Sequence, residues 1–368
     1  MKTEKTTILA VTPFALLLSL TACKKGPEVN THALTLHGSS ACAIHEPLKG
    51  SGTTISCWGD HLLDTPAEQA WQASITAPTS VAPQHDVTCV VHQPTGQGTL
   101  SCISENTSNF RLPPITLMSS NYDVKEVVLS DSGNRHFGCI VADTGGYDEI
   151  LCWTEQHRSK ELIRISSGSR FSTVINPRKL SASKRGLCYE TDFGNDCVGI
   201  HMLISVFKPV PVANLPASNE TLVGLQSAGF TASPGTEAAR AYCYSDLDDN
   251  FYCYQSFNTD PISNTPKKPV AFYDVYPHSD SKFIGCAMTL DDAIHCFGDE
   301  DLVKGISTTS LEAFTTHATE LHVSRNLTHY SLCLLASKSD SGRVGVACDD
   351  NVDSASALEN IPSELSLR

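Results

Sequence analysis

Cysteine is the residue type whose number and spacing in this chain could do chemistry, and there are 15 of them. A thiol can ligate a metal, act as a nucleophile or join a second thiol, and spacing helps to separate these roles. Cys23 stands apart near the start. The other 14 fall in order as Cys42/Cys57, Cys89/Cys102, Cys139/Cys152, Cys188/Cys197, Cys243/Cys253, Cys286/Cys296 and Cys333/Cys348. Separations of 9 to 15 residues within a pair fit poorly with zinc sites, which are built on close CxxC-type pairs. The first members recur every 43 to 55 residues, a period typical of repeat architectures. The repetition therefore predicts one disulfide per repeat, joining neighbouring cysteines.

The elements that must position these thiols are hairpins. The midpoints of the pairs fall on Lys49-Gly50, Thr95-Gly96, Gly145-Gly146, Asp192-Phe193 just before Gly194, Asp248, Asp291 and Asp340-Ser341, all in or beside turn-forming residues. Ser281–Glu300 is the clearest copy: an apolar run reaches Cys286, Leu290-Asp291-Asp292 turns, and a second run returns through Cys296. Residues opposed at a non-hydrogen-bonded antiparallel site have Cα atoms ~4.5 Å apart, within the ~4.4–6.8 Å that a disulfide spans. Each bridge closes a short loop and adds up to about 3 kcal/mol in the chain-entropy account, less where the hairpin already restricts that loop.

Between one hairpin and the next lie 31 to 45 residues, room for two more short strands and their turns. Hydrophobic residues make up 40% of the chain and charged residues only 18%, and no long stretch has a 3.6-residue apolar period. Units of about four strands repeated radially are β-propeller blades. Twenty residues follow Cys348 and 18 separate Cys23 from Cys42, together one spacer divided between the termini. The expected fold is all-β: a seven-bladed β-propeller over residues 32–368, one hairpin disulfide per blade, its last blade closed by strands from both ends. Pro66–Ala73 is the stretch that could instead be a helical turn.

Ahead of the repeats, Lys2 and Lys5 precede an apolar run from Ile8 to Leu20. It is shorter than the ~20 residues that cross a bilayer and has the parts of a secretory signal. Leu20-Thr21-Ala22-Cys23 resembles the lipobox of bacterial lipoproteins. The resemblance implies that residues 1–22 are removed, that the Cys23 thiol carries lipid, and that residues 23–31 form a tether to the membrane. The remaining chain has 24 basic against 39 acidic residues, which argues against a nucleic-acid partner, since that requires a basic footprint. Fourteen paired cysteines behind such a signal point to an oxidising, extracytoplasmic compartment, a lipid-anchored position on a bacterial envelope, with the outer membrane or cell surface favoured over the inner membrane.

Ser56-Cys57-Trp58-Gly59-Asp60, Leu151-Cys152-Trp153-Thr154 and His295-Cys296-Phe297-Gly298-Asp299 resemble the cysteine-tryptophan-glycine ending of the regulator-of-chromosome-condensation repeat. Gly285-Cys286-Ala287-Met288 and Leu332-Cys333-Leu334-Leu335 resemble its preceding strand. The family's Gly-Gln-Leu-Gly segment is absent, and the Cys188–Cys197 and Cys333–Cys348 units lack the aromatic-glycine ending. The resemblance implies a seven-bladed propeller and assigns no activity.

Other chemistry is sparse. There is no Gly-x-Ser-x-Gly elbow, phosphate loop or His-Glu-x-x-His. His317, His322 and His329 have no spacing that shares a face. Asp246–Asn250 and Asp349–Asp353 start like calcium loops but lack the glycine and glutamate that complete one, so they are read as turns. Asn106, Asn219 and Asn326 open sequons and are read as loop residues. Tyr242, Tyr244, Tyr252 and Tyr254 flank one cysteine pair and are expected to pair across strands, on the face opposite the thiols. The longest spacer, Val198 to Tyr242, carries Pro209-Val210-Pro211 and Ala228–Glu237 as candidates for a partner-binding insertion.

The expected function is a non-catalytic, monomeric binding module, without metal or cofactor, holding a protein or glycan through propeller loops. The alternative is an extracytoplasmic enzyme or enzyme inhibitor on the same scaffold, because fold does not fix function. Replacing the lipid-bearing thiol, Cys23→Ser, is expected to move the protein from the membrane to the soluble fraction on fractionation; continued membrane retention would refute the anchor.

Overall fold

The computed structural model describes residues 29–38, 40–59, 65–84, 87–104, 122–131, 136–154, 162–167, 172–173, 176–177, 179–183, 186–191, 194–201, 206–209, 223–227, 241–245, 250–255, 261–278, 282–326, 329–338, 341–349 and 361–367. Cys23 and the preceding signal-like run lie outside these residues, as do Asp246–Asp249, Asn106, Asn219, Val210-Pro211 and Ala228–Glu237.

The described chain is a succession of small antiparallel sheets. The first contains β1 (Thr31–His37), β2 (Ser40–His45) and β3 (Thr54–Gly59). The second contains β4 (Pro78–Gln84), β5 (Val87–His92) and β6 (Thr99–Ser104). The third has β7 (Asp123–Asp131), β8 (His136–Asp143), β9 (Asp148–Thr154) and a short β10 (Ile163–Arg164). A ribbon of β11 (Ser166–Ser167) and β12 (Ser172–Thr173) precedes the fourth sheet. That sheet is β13 (Lys179–Ser183), β14 (Gly186–Thr191), β15 (Gly194–His201) and β16 (Val206–Pro209). The fifth is β17 (Val223–Ser227), β18 (Ala241–Ser245) and β19 (Phe251–Gln255). The sixth is β20 (Val270–Pro277), β21 (Phe283–Thr289) and β22 (Ile294–Gly298). The seventh is β23 (Ala318–Asn326), β24 (His329–Ser337) and β25 (Val344–Cys348). Each sheet is a meander in chain order.

In every sheet the second and third strands form the cysteine hairpin. All seven pairs are direct cross-strand partners and all are joined, with Cα atoms 4.0–4.1 Å apart. Where the turns are described, they use the expected residues. Gly145 and Gly146 both have φ near 122°, and their N–H groups donate to Asp143 Oδ1 at 2.8 Å.

Second strands such as β2, β5 and β21 are buried along their whole length. Their apolar residues do not alternate with polar ones, because both faces of the sheet are covered. The covering is supplied by neighbouring sheets. Cys42 packs with Val81 and Val90 of the second sheet, and Cys89 and Cys102 with Val127 and Leu129 of the third. Cys139 and Cys152 pack with Leu187 of the fourth, Cys243 and Cys253 with Phe297 of the sixth, and Cys286 with Leu321 of the seventh. Cys333 and Cys348 pack with Leu34, Ala41 and Trp58 of the first. Wherever these clusters are described, the disulfide faces the next sheet. The aromatic residue after the second cysteine faces the previous one. This is a β-propeller type of all-β arrangement.

First strands also lie side by side: β1 against β4, β4 against β7, β7 against β13, β13 against β17, β17 against β20, β20 against β23, and β23 against β1. The chain ends meet, though not as the sequence suggested. Among the described residues the seventh sheet takes no strand from the N-terminus: Thr31–His37 is the edge strand of its own sheet. Instead Val346 N–H donates to Leu365 O at 2.8 Å and Leu367 N–H to Val346 O at 3.0 Å, while Val29 N–H reaches Glu364 O at 3.3 Å. Arg343 Nε donates to Val29 O at 3.2 Å and its Nη2 to Glu364 O, which ties the two tails together.

The four-strand expectation holds for the third and fourth sheets. The fifth gains only a bridge, Tyr254 to Pro261, and the seventh a parallel one, Val346 to Ser366. After the first sheet the spacer forms α1 (Pro66–Ser74), the stretch singled out as a helical turn. Thr65 Oγ1 accepts from Glu68 N–H at 3.3 Å and Glu68 Oε2 accepts from Thr65 N–H at 2.9 Å; this capping box favours helix over strand. After the sixth come α2 (Glu300–Val303) and a 3-10 turn over Thr309–His317.

The motif behind the family resemblance has a packing reason. The residue before the first cysteine directly opposes the residue after the second, and it is small where the latter is aromatic: Ala41 opposite Trp58, Gly138 opposite Trp153 and Gly285 opposite Phe297. A Cβ on Gly285 would lie 2.5 Å from Phe297 Cζ and 2.9 Å from Val275 Cγ1. Gly285→Ala is therefore expected to destabilise the fold by ~1–3 kcal/mol, the cost of overpacking a filled core, read as a lower denaturation midpoint with unchanged m-value. An unchanged midpoint would show that Phe297 can yield.

Candidate binding site

The first strand of each sheet is an edge, and half of its N–H groups point away from the second strand. Several of them find acceptors on the preceding sheet. Val127 N–H donates to Ser80 Oγ at 3.2 Å, Leu180 N–H to Glu126 Oε1 at 3.3 Å, Val323 N–H to Asp274 Oδ2 at 2.8 Å and Leu34 N–H to Glu320 Oε2 at 3.2 Å. The last joins the seventh sheet to the first. Ser80, Glu126 and Glu320 occupy equivalent places, two residues before the one that opposes the first cysteine of the sheet.

Just before these places the first strands bulge. The register shifts at Thr31/Ala33, Pro78/Ser80, Val124/Glu126, Val270/Phe272 and Ala318/Glu320, and also between Val223 and Gln226. A bulge breaks the pairing and re-aims a side chain. The extra residues His32, Thr79, Lys125, Ala271 and Thr319 are all exposed, each beside a residue turned inward. Sequence inspection missed this set.

At the bulged ends of β1, β4 and β7 the structure holds a cavity of about 440 Å³, lined by Ala33, Thr35, Thr79, Ser80, Val81, Lys125, Glu126, Val141, Asp148 and Pro177. Lys125 Nζ lies 2.6 Å from Asp148 Oδ1 and 2.8 Å from Oδ2. That hydrogen bond, with further carboxylates at Asp143 and Asp123, raises the Lys125 pKa and keeps the amine charged. Asp148 N–H is held by Asn176 Oδ1 at 3.2 Å. The site can offer fixed hydroxyls, one ammonium and one carboxylate to a polar ligand.

The tyrosine quartet is built as expected. Tyr242 opposes Tyr254 and Tyr244 opposes Tyr252, with ring centroids 5.4 and 5.5 Å apart. Tyr242 and Tyr244 are buried, and burial raises the Tyr244 pKa, so this is packing within a sheet more than an open surface. His322 Nε2 lies 3.2 Å from Glu320 Oε2, on the sheet junction. Asp349 closes the end of β24: Leu332 N–H donates to its Oδ1 at 2.8 Å. Among the described residues no three His, Cys, Asp or Glu gather as metal ligands.

No protein-family model and no curated protein matches the sequence. Solved structures give distant likenesses of overall shape. The chain is similar to the CRINKLY WD40 ectodomain of the Arabidopsis thaliana receptor kinase ACR4, at 13% identity over 87% of this chain and 96% of that one, with a TM-score of 0.49. It is similar to apo AztD from Citrobacter koseri, at 10% identity over 86% and 84% of the two chains, TM-score 0.44. It also resembles apo prolyl oligopeptidase B from Galerina marginata, at 8% identity over 84% of this chain, TM-score 0.42, spanning about half (48%) of that enzyme's length.

Two histidines back the bulges of the first two sheets: His45 opposes Thr31 and His92 opposes Pro78. With Nδ1 protonated, His45 donates to Glu46 O at 2.6 Å, and its Nε2 accepts from Ser56 Oγ at 2.9 Å. Burial lowers both pKa values, and His32 adds to the effect at His45 while Glu364 opposes it. Below the ordinary histidine pKa of about 6.5, the unfolded chain takes up these protons before the folded one. Stability is then full above that pH and falls as the pH drops toward the lowered folded values. Denaturant melts at about pH 7.5 and pH 5.5 are expected to show this loss, and His45→Gln to reduce it; an equal loss in the variant would exonerate His45.

Proposed function

We propose that this chain is a closed, seven-bladed β-propeller of the regulator-of-chromosome-condensation type, tethered by lipid on Cys23 to a bacterial envelope, that works as a non-catalytic binding module. The contact of β23 with β1, and of the Cys333–Cys348 bridge with Leu34 and Trp58, supports the closed ring. Seven disulfides support an oxidising, extracytoplasmic setting. The observation that carries the binding role is the cavity between the first strands of sheets one to three. It is open, its wall mixes polar groups with small aliphatic ones, and it is held by a scaffold stapled beside it in each of those sheets. Binding sites prefer such pre-formed concavities on rigid frames. Its ion pair and its hydrogen-bonded carboxylate serve recognition: Lys125 and Asp148 satisfy one another, and Glu126 is occupied by Leu180 N–H.

The test is affinity capture from envelope extracts with the full-length protein in detergent, against the same protein boiled under reducing conditions. Recovery of a specific protein or glycan by the folded form alone is expected; equal recovery by both forms would count against a binding module.

A further inference from the structure

Resting on the binding-module reading, we infer that the cavity at the bulged ends of β1, β4 and β7 is a saccharide site, in which Asp148 and Lys125 serve as paired acceptor and donor beside the Thr35 and Thr79 hydroxyls.

Four features of the cavity select this ligand class. Its volume of about 440 Å³ lies within the ~300–1,000 Å³ of small-molecule sites. Its polar groups are already paired in a way that leaves spare capacity. Lys125 keeps donors beyond those used by Asp148, whose carboxylate retains acceptor positions. Thr79 Oγ1 makes only a long contact of 3.4 Å, to Val91 O. Between these groups stand Ala33, Val81, Val141 and Pro177, small aliphatic surfaces suited to the C–H faces of a sugar ring. A large apolar ligand would strip water from the polar wall without replacing its hydrogen bonds.

Charge removes the remaining classes. An anion would face Asp148 and Glu126 on the wall, with Asp123 and Asp143 close to the one ammonium. A cation would have to displace Lys125 from a carboxylate it contacts at 2.6 Å. An uncharged polyol can insert its hydroxyls beside the ion pair and breaks nothing. The bulges explain why the site lies here: Thr79 and Lys125 are extra residues in their strands, turned from the ladder toward the opening.

The sugar could be free or the end of an envelope polysaccharide, and the experiment separates the two. Full-length protein, in a detergent without a sugar headgroup, is titrated calorimetrically with N-acetylglucosamine, galactose, mannose, lactose and chitobiose, and with inorganic phosphate and spermidine as charged probes. A parallel arm measures co-sedimentation with insoluble chitin and cross-linked dextran. At least one sugar or polymer is expected to bind. Asp148→Asn and Lys125→Met should each weaken that binding by about tenfold or more, as loss of a charged hydrogen-bond partner does. Asp291→Asn, which breaks the exposed pair with Lys268 on the distant β21–β22 turn, should leave it unchanged. Binding in solution alone indicates a free sugar, and retention on polymer a chain end. Failure of every sugar and polymer, or binding of phosphate or spermidine in their place, overturns the proposal. So does sugar binding that survives both substitutions with the melting curve intact. Affinity capture by the unsubstituted protein keeps the two ideas apart: a partner recovered by a protein that binds none of the sugars or polymers sinks the saccharide site and leaves the binding module standing.

Discussion

Each sheet in this chain opens on an edge strand, and the outward N–H groups of that strand need acceptors that the sheet cannot supply. Unpaired edges are ordinarily protected by charge, bulges or cover. Here the preceding sheet provides part of that protection. Ser80, Glu126, Asp274 and Glu320 each accept an edge N–H from the next sheet, and the last of these carries the pattern from the seventh sheet back to the first. A hydrogen bond to a charged acceptor, as at Glu126, Asp274 and Glu320, is about twice as strong as a neutral one, and each also fixes the height of one first strand against its neighbour. The bulges follow from the same constraint. They interrupt the edge immediately before Ser80, Glu126 and Glu320, which bends the strand and leaves little continuous template for another chain to pair with.

Once first strands are held at a fixed height, the rest of each sheet has two apolar faces to bury and neighbours on both sides to bury them. That accounts for the wholly buried second strands and for the position of the disulfides. A cysteine at a non-hydrogen-bonded pair in the middle of a hairpin points from one face, and there it packs against the following sheet. The opposite face carries the aromatic residue and its small partner, packed against the preceding sheet. The bridge adds little to hairpin formation itself, since a formed hairpin already confines the loop. It contributes where the packing of a short, three-stranded sheet is least able to hold together alone.

Much of this was legible in the residues. Pairing of neighbouring cysteines followed from their repetition, and the hairpin register followed from turn residues at the midpoints. The tyrosine quartet followed from alternation, and Pro66–Ala73 stood out as a helical turn, though its capping box was not read. Less was legible where the signal depends on contacts between sheets. The bulged residues lie at no fixed distance from a cysteine: His32 and Thr79 precede theirs by 10 residues, Ala271 by 15, because the first turn of each sheet varies in length. The capping residues are Ser, Asp or Glu in strands otherwise unlike one another, so composition does not reveal them. The meeting of the two tails was equally hidden, since it turns on Arg343 and Glu364 finding Val29 across the whole chain.

The cavity lies at a junction where the cap seen in three other sheets is absent. In the second, third and seventh sheets the residue two before the cysteine's partner is Ser80, Glu126 or Glu320, and it reaches across to the next edge. In the first sheet the same position is Ala33, which has no acceptor and too little bulk to fill the junction with the second sheet. Ala33 and its would-be neighbour Val81 both line the cavity. The polar groups around them, Thr35, Thr79 and the Lys125–Asp148 pair, then face open space where Ser80, Glu126 and Glu320 are bonded across their own junctions. A structural role alone would favour an acceptor at residue 33 as at Ser80, Glu126 and Glu320. An alanine there exchanges one inter-sheet hydrogen bond for a walled, polar opening, and that exchange is intelligible if something other than the protein completes the junction.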